Sequence, residues 1–561
     1  MMKRCWWLLL CFSCGGASEE VGSTEDPGAN DPGSASPWFV EESRSRGLVF
    51  EHVVSLARRG EWHMPDMVSG GGAAIDVERD GDLDLYLVQS GDFPTPDPEL
   101  VNRFFLNDGR ANFTDATDRY GAADGSLGMG AAVGDIDGDG FEDLLVTNYG
   151  PDTMWLNRGG ERFERHEDAA LAGDDLSSSA LFFDADQDGD LDAFVLRYLL
   201  WDFENPDVCH GKRGGRDYCG PKSINTPLPD RFLVNDGQGH FTDESVAAGI
   251  DTAVGSGLGV LAGDFDDDGL QDIFVANDGW PDRLWRNEGG NRFVDIAMRM
   301  GCAVDETGFR KAGMGVTACD VDDDGDLDLA VCNLGGETDA MFRNQGAYFQ
   351  DMTARLGVAN KTKTFTRFGM GWIDFDNDGR VDLYQANGCV QRPDVSQSEA
   401  DPYAEHNVVM KGDAEGRFTL VEPVGGTAER LVHTSRGAIF GDFDNDGGQD
   451  VVVVNRDSDT YLLRNVVRSR GGWILFDVRE ANGRVALGAR VSAKVGDRTL
   501  TRDVRSGYSY VTGNSPRVHL GLGTEARASE VRVTWVDGTV ETFGAFDGGK
   551  IVPLTRGSGT K

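Results

Sequence analysis

The chain has 561 residues, 95 of them acidic and 53 basic, for a formal charge of −42. A surface this acidic repels nucleic acid and anionic membranes, and it makes divalent cations the natural partners. The 76 Gly and 18 Pro are spread along the chain, with 39% hydrophobic residues to build a core, and so point to many short strands joined by turns rather than to long helices or disorder.

The first element in chain order is an export signal over residues 1–13. Lys3 and Arg4 precede an apolar run from Trp6 to Phe12 that is too short to span a bilayer. Ser13 then precedes Cys14, the order of a bacterial lipoprotein signal, in which Cys14 becomes the acylated first residue of the mature chain. Ordinary secretion, or cleavage elsewhere, is the alternative. Gly15 offers no Asp retention signal, so the expected destination is the outer membrane or cell surface, and otherwise the periplasm or the medium. Residues 14–44 begin with Gly, Ser, Pro and acids that bury no apolar surface and read as a flexible tether.

Seven nine-residue segments follow, each with acids at positions 1, 3, 5 and 9 and Gly at position 6. The acids are Asp76, Glu78, Asp80 and Asp84 in the first, and Asp135, Asp137, Asp139 and Asp143 in the second. Asp184, Asp186, Asp188 and Asp192 form the third set, Asp264, Asp266, Asp268 and Asp272 the fourth, and Asp320, Asp322, Asp324 and Asp328 the fifth. The last two sets are Asp374, Asp376, Asp378 and Asp382, then Asp442, Asp444, Asp446 and Asp450. Hard Ca²⁺ takes about six to eight oxygens, and alternating carboxylates on a loop turned sharply at Gly can converge on one ion. Up to seven Ca²⁺ are expected, with position 7 giving only its carbonyl. No EF-hand fits, because each loop runs directly into a strand such as DLLVTN or DVVVVN. A small-residue strand precedes each loop and two more strands follow, the last marked by Phe, so each unit has four strands. The predicted fold is all-β, a seven-bladed β-propeller over residues 45–468.

Long insertions fall between the second and third strands, on the face opposite the acidic loops. Arg197, Tyr198, Trp201, Trp280, Arg367 and His433 are the candidate ligand residues there, since mixed charge and aromatics on a rigid scaffold are where ligands bind. Export permits disulfides, and Cys209 and Cys219, which bracket a Gly-rich loop, are the expected pair. Cys319, inside an apolar strand, reads as a small buried hydrophobe; the pairing of Cys302, Cys319, Cys332 and Cys389 stays open. No catalytic signature stands out: there is no Gly-x-Ser-x-Gly with a His partner, no P-loop and no His-Glu-x-x-His.

The acidic loops and the Gly-rich strands before them resemble the FG-GAP repeats of integrin-α-like propellers. In those propellers such sites mainly hold the hairpin between the first two strands of a blade. The stretches ALGARV from Ala486, RSGY from Arg505, HLGLG from His519 and VRVTWVDG from Val531 are similar to the ASPIC/UnbV domain. Together they resemble bacterial relatives of the cartilage acidic protein family, and imply a small C-terminal β domain over residues 471–556. The departure is Leu520, before the first Gly of HLGLG, where the family more often has Phe. Ring closure is expected from the N-terminus: Gly47–Val53 should pair with the third strand of blade 7, leaving Gly471 onward to the C-terminal domain.

The expected function is that of an exported calcium-binding protein holding a protein or glycan partner on the insertion face, with no nucleic acid and with membrane contact only through the lipid. The alternative is an exported enzyme, a polysaccharide lyase or hydrolase or a small-molecule enzyme, working from the same face, with Arg367, His433, His63 or an unpaired carboxylate supplying the chemistry.

Overall fold

The computed structural model describes residues 36–93, 95–212, 214–220 and 226–561, so the signal, Cys14 and most of the tether lie outside the described residues. Seven sheets built on four antiparallel strands are numbered 1 to 7 in chain order; sheet 1 gains a parallel fifth strand, Thr512–Gly513, and sheet 7 gains Glu405–His406. Sheet 2 shows the plan: Gly128–Gly134 runs to the acidic loop, Asp143–Asn148 returns, and Thr153–Asn157 and Phe163–His166 complete it. Sheets 1 and 3 to 6 repeat this plan from their first strands Gly72–Ile75, Leu176–Phe183, Gly257–Gly263, Val316–Cys319 and Arg367–Ile373.

The first strands pack side by side in a closed circuit, sheet 7 returning to sheet 1, which makes the body a β-propeller. At the closing seam the Gly437 N–H donates to the Gly70 carbonyl at 3.0 Å. Two glycines show why these strands are so small. A Cβ on Gly315 would lie 2.0 Å from the Phe368 carbonyl oxygen, and one on Gly71 would lie 2.6 Å from that of Met129. Backbones at this approach admit no side chain.

Sheet 7 is completed from the N-terminus, but not by the expected segment. Its outer strand is Phe39–Glu41, paired with Tyr461–Asn465 in the register Phe39 opposite Asn465. That strand lies inside the segment assigned to the tether. Gly47–Val53 instead runs along the seam between sheets 7 and 1, where the Phe50 carbonyl accepts from the Thr460 N–H and His52 bridges to Arg456. Phe50 is buried there against sheets 1 and 7.

After sheet 7 the chain forms two further sheets. Gly472–Arg479 lies between Val518–Gly523 and Ile551–Thr555, and Arg490–Val495 lies between Arg498–Asp503 and Arg527–Thr534, with Val540–Asp547 outermost. These strands share one hydrophobic core with sheets 2 and 3, and Ser36–Lys561 is one compact unit. Cys209 and Cys219 are joined, and Cys302, Cys319, Cys332 and Cys389 are buried free thiols. No helix among the described residues is long and apolar enough to cross a membrane.

Candidate functional site

Each acidic loop is held by its own carboxylates. In sheet 6 the Asp374 carboxylate accepts from the backbone N–H groups of Asp378 and Gly379, closing the turn at Gly379. The position-9 carboxylate fixes the loop to its blade in all seven sheets: Asp143 accepts from Ile136 N–H at 2.9 Å with one oxygen and from Asn157 N–H at 2.7 Å with the other. Burial pushes Asp84, Asp192 and Asp272 up to about 8 and Asp328 up to about 7, and drives Asp143, Asp382 and Asp450 well above the usual carboxylate range.

A charge of opposite sign would reverse that cost. In at least five loops three carboxylate oxygens lie within 4.8 Å of one another, as in Asp135, Asp137 and Asp143 or Asp374, Asp376 and Asp382. Buried oxygens of Asp135, Asp184, Asp266, Asp376 and Asp444 have no hydrogen-bond partner among the described residues. Such a set fits a hard cation taking oxygen ligands. The first loop departs, because its Glu78 is held by Arg119 and by the Tyr120 hydroxyl, each at 2.8 Å. In the sixth, Lys411 sits against Asp376 and 3.3 Å from Asp378.

The loop face is covered by the chain itself. Position 4 of every loop has left-handed backbone, from Arg79 at φ 58° to Asn445 at φ 55°, and six of those residues bond to the C-terminal part. Arg79 donates to the Gly483 carbonyl, and Gln187 to that of Val536 at 2.7 Å. Arg490 reaches Asp267 at 3.5 Å, and Arg498 clasps Asp323 through two nitrogens at 2.6 and 3.1 Å. Asn377 donates to the Gly471 carbonyl and Asn445 accepts from Arg517.

From the same side the segment Arg505–Pro516 enters the ring and touches all seven first strands. Arg505 donates to the carbonyls of Ala262 and Ala318, and Ser509 exchanges backbone bonds with Val316 at 2.7 and 2.9 Å. Val511 N–H donates to the Ser179 hydroxyl, Met370 N–H to the Ser509 hydroxyl, and Ser509 to the Ala438 carbonyl. Ser506 donates to the Val133 carbonyl and Thr512–Gly513 pairs in parallel with Gly72–Ala73. The fully buried Tyr510 donates to the Val68 carbonyl at 2.6 Å, meeting the short helix Met64–Val68 that enters from the opposite face.

That opposite face keeps two open clefts, one on each side of residues 55–63. A cavity of about 620 Å³ is lined by His63, Phe93, Tyr149, Trp201 and Phe203 with Glu61, Asp174, Asp202 and Glu204 on its rim. The other, about 300 Å³, is lined by Arg58, Trp62, Tyr218, Arg392, Tyr403, His433 and Arg456. Of the sequence candidates, Trp201 lines the first and His433, hydrogen-bonded to the Tyr461 hydroxyl, lines the second. Trp280 stays partly exposed under Arg310.

The other three are not on the surface of either cleft. Arg197 pairs with Asp175, and Tyr198 is buried with its hydroxyl on Asp278 at 2.8 Å. Arg367 has no exposed surface and gives its donors to Asp339 and to the Leu334, Phe365 and Glu337 carbonyls. It holds loops together. Sequence reasoning missed Trp62, Tyr218, Arg392, Tyr403 and Arg456, which come from four distant segments.

Comparison with known proteins places these features in families. Residues 76–146, 135–195 and 264–331 match the FG-GAP-like repeat, and residues 479–561 match ASPIC and UnbV. The chain therefore carries FG-GAP-like repeats and an ASPIC and UnbV domain. It is 26% identical over 528 residues to Cartilage acidic protein 1 of Xenopus tropicalis, covering 86% of this chain and 73% of that protein. The Homo sapiens protein of the same name is 25% identical over 546 residues, covering 89% and 74%. Among solved structures it is similar to an Agrocybe aegerita protein described as recognising non-reducing terminal N-acetylglucosamine (17% identity, TM-score 0.37, 74% of this chain and 94% of that one). It is also similar to the Dos1 propeller (8% identity, TM-score 0.38, 71% and 93%).

Proposed function

We propose that this protein is an exported, calcium-loaded binding scaffold that takes a protein or glycan partner on the face opposite its acidic loops. One observation carries the reading: the loop face is covered by the chain's own C-terminal strands, whereas the opposite face leaves two aromatic clefts open. Concave surfaces with aromatic walls and a few polar groups are where ligands bind. The carboxylate sets at positions 1, 3, 5 and 9 would hold Ca²⁺, whose charge stabilises groups that repel one another without it. The basic Lys3 and Arg4, the apolar run and Cys14 support export and a tether through an acyl group on Cys14.

Two linked measurements test this. Chelation should lower the melting temperature of the purified protein by at least ~10 °C relative to millimolar calcium, because an ion that binds only the folded state stabilises it by mass action. An unchanged melting temperature would remove calcium from the assignment. A glycan and exoprotein binding screen with the calcium-loaded protein should give a ligand whose affinity falls when Trp62 or Trp201 is replaced by Ala. Insensitivity to both substitutions would place binding elsewhere, and turnover of the ligand would make the protein an enzyme.

A further inference from the structure

The smaller cleft gathers positive charge on a chain with 95 acids and 53 bases. Lys212, Arg216 and Arg392, which line the 300 Å³ cleft or an adjoining cavity of about 200 Å³, take part in no ion pair among the described residues. Arg392 and Pro402 are common to both cavities, so the two are neighbours. Beneath them Arg456 is 4% exposed. Its Nη2 donates to the Tyr218 hydroxyl at 2.7 Å, but its Nε and Nη1 have no hydrogen-bond partner among the described residues. A buried guanidinium with two unspent donors costs free energy until an acceptor arrives.

The carboxylates at the cleft are already occupied. Asp457 holds Arg58 and the Val54 N–H, Asp401 holds Thr434 and the Tyr403 N–H, and Asp217 holds the Tyr403 hydroxyl and the Arg392 N–H. Aromatic faces stand beside the bases: Arg392 lies 5.9 Å from the Trp62 ring centre and 5.8 Å from that of Tyr403, and Arg456 lies 5.0 Å from that of Tyr218.

We infer that this cleft binds an acidic sugar, with Arg392 and Arg456 meeting a uronate carboxylate and Trp62 and Tyr403 carrying the pyranose ring. The inference rests on the proposed binding face and names its ligand class. A guanidinium fork matches a carboxylate through two parallel bonds, which favours a planar anion over a lone charge. The ligand's ring is required by the aromatic walls and by the cavity sizes, each suited to one sugar unit, so that two adjoining cavities sharing Arg392 fit consecutive units of an acidic chain. An extended acidic peptide, which would use a free strand edge or a long groove, is the competing ligand that the hexaglutamate arm of the test separates.

The test uses the full mature chain in calcium with trimers of galacturonate, glucuronate and mannuronate, their methyl esters, a neutral galactose trimer and a hexaglutamate peptide, measured by calorimetry. At least one uronate trimer should bind, with at least tenfold weaker binding of its ester, of the neutral trimer and of the peptide, and with affinity falling as salt rises. Arg392→Ala and Trp62→Ala, both at the surface, should each weaken it at least tenfold at an unchanged melting temperature, and Arg456→Lys should weaken it without abolishing folding. No binding of any uronate, equal binding of the ester, or tighter binding of the peptide would each overturn the inference. If a neutral glycan binds instead and Trp62→Ala abolishes it, the uronate assignment fails while the binding face stands. If a ligand is insensitive to every substitution on this face, both fail.

Discussion

Asn157 shows how much of the structure is carried by residues that a motif search passes over. Its backbone N–H is held by Asp143, and its side chain donates to the Val77 carbonyl in the neighbouring acidic loop at 2.9 Å. Asn107, Asn235, Asn287, Asn344 and Asn465 do the same to Phe443, Ile136, Ala185, Phe265 and Phe375, each stitching its blade to the one before. The acids were legible because one spacing, acids at positions 1, 3, 5 and 9 with Gly at position 6, recurs seven times. The recurrent Asn ending the third strand was visible too, in RFFLN, TMWLN, RFLVN, RLWRN, AMFRN and YLLRN. Its function was not, because its acceptor belongs to another blade. His52 is a second such residue. Both ring nitrogens are hydrogen-bonded, to the Val88 carbonyl and the Ser69 hydroxyl, and burial lowers its pKa from 6.5 to about 4. The unfolded chain therefore takes up a proton below about pH 6.5 that the folded state refuses until about pH 4. Stability from His52 is full above pH 6.5 and is lost as pH falls to 4, a change of about 3 kcal/mol. Denaturant unfolding of the wild type and His52→Gln in saturating calcium should show a wild-type advantage at pH 7.5 that shrinks by pH 4.5. A pH-independent difference would mean that His52 is not held neutral.

At the scale of elements, the four-strand plan was readable and its one exception was placed too far along the chain. The fourth strands of sheets 1, 3, 4 and 5 are the three-residue pieces FTD, FTD, FVD and FQD, and the closing strand is FVE at Phe39–Glu41. The misleading cue was Gly before Phe. In the other sheets that Gly belongs to the turn between the third and fourth strands, as in the NDGRANF segment ending at Phe113. A strand that arrives from the N-terminus has no such turn and needs no Gly. Phe39 is fully buried, edge-on to Phe375 at 5.1 Å and to Tyr384 at 6.2 Å. Truncating a buried Phe to Ala costs about 3–5 kcal/mol, and losing the strand also opens an edge on sheet 7. Deleting residues 15–36 should leave the melting temperature unchanged. Extending the deletion through Glu41 should lower it sharply and produce aggregation, read by scanning calorimetry and light scattering. Equal stability of the two truncations would deny Phe39–Glu41 its closing part.

For the whole molecule, the sequence suggested a propeller followed by a separate small domain, and the structure joins them through the axis. A charge contrast was there to be read. Residues 469–561 hold fourteen basic and nine acidic side chains, a net of +5 on a chain of −42. Those bases meet the loop face, as Arg498 on Asp323 and Arg470 on Asp446 show. The RSGY stretch becomes intelligible as well, since it begins the segment that fills the ring and leads to Tyr510. Because that segment bonds to the first strands of all seven sheets, neither part can unfold and leave the other's contacts intact. Domains with a small polar interface unfold separately, whereas one shared core unfolds as one. Calorimetry of the calcium-loaded protein should therefore show a single transition. Tyr510→Phe, which loses the bond to the Val68 carbonyl, should cost about 1 kcal/mol. Tyr510→Ala, which also leaves a cavity on the axis, should cost about 3–5 kcal/mol and shift the whole transition downward. Two resolved transitions in the wild type, or a Tyr510→Ala variant that shifts only one of two, would show that the axial segment occupies the ring without binding the two parts into one folding unit.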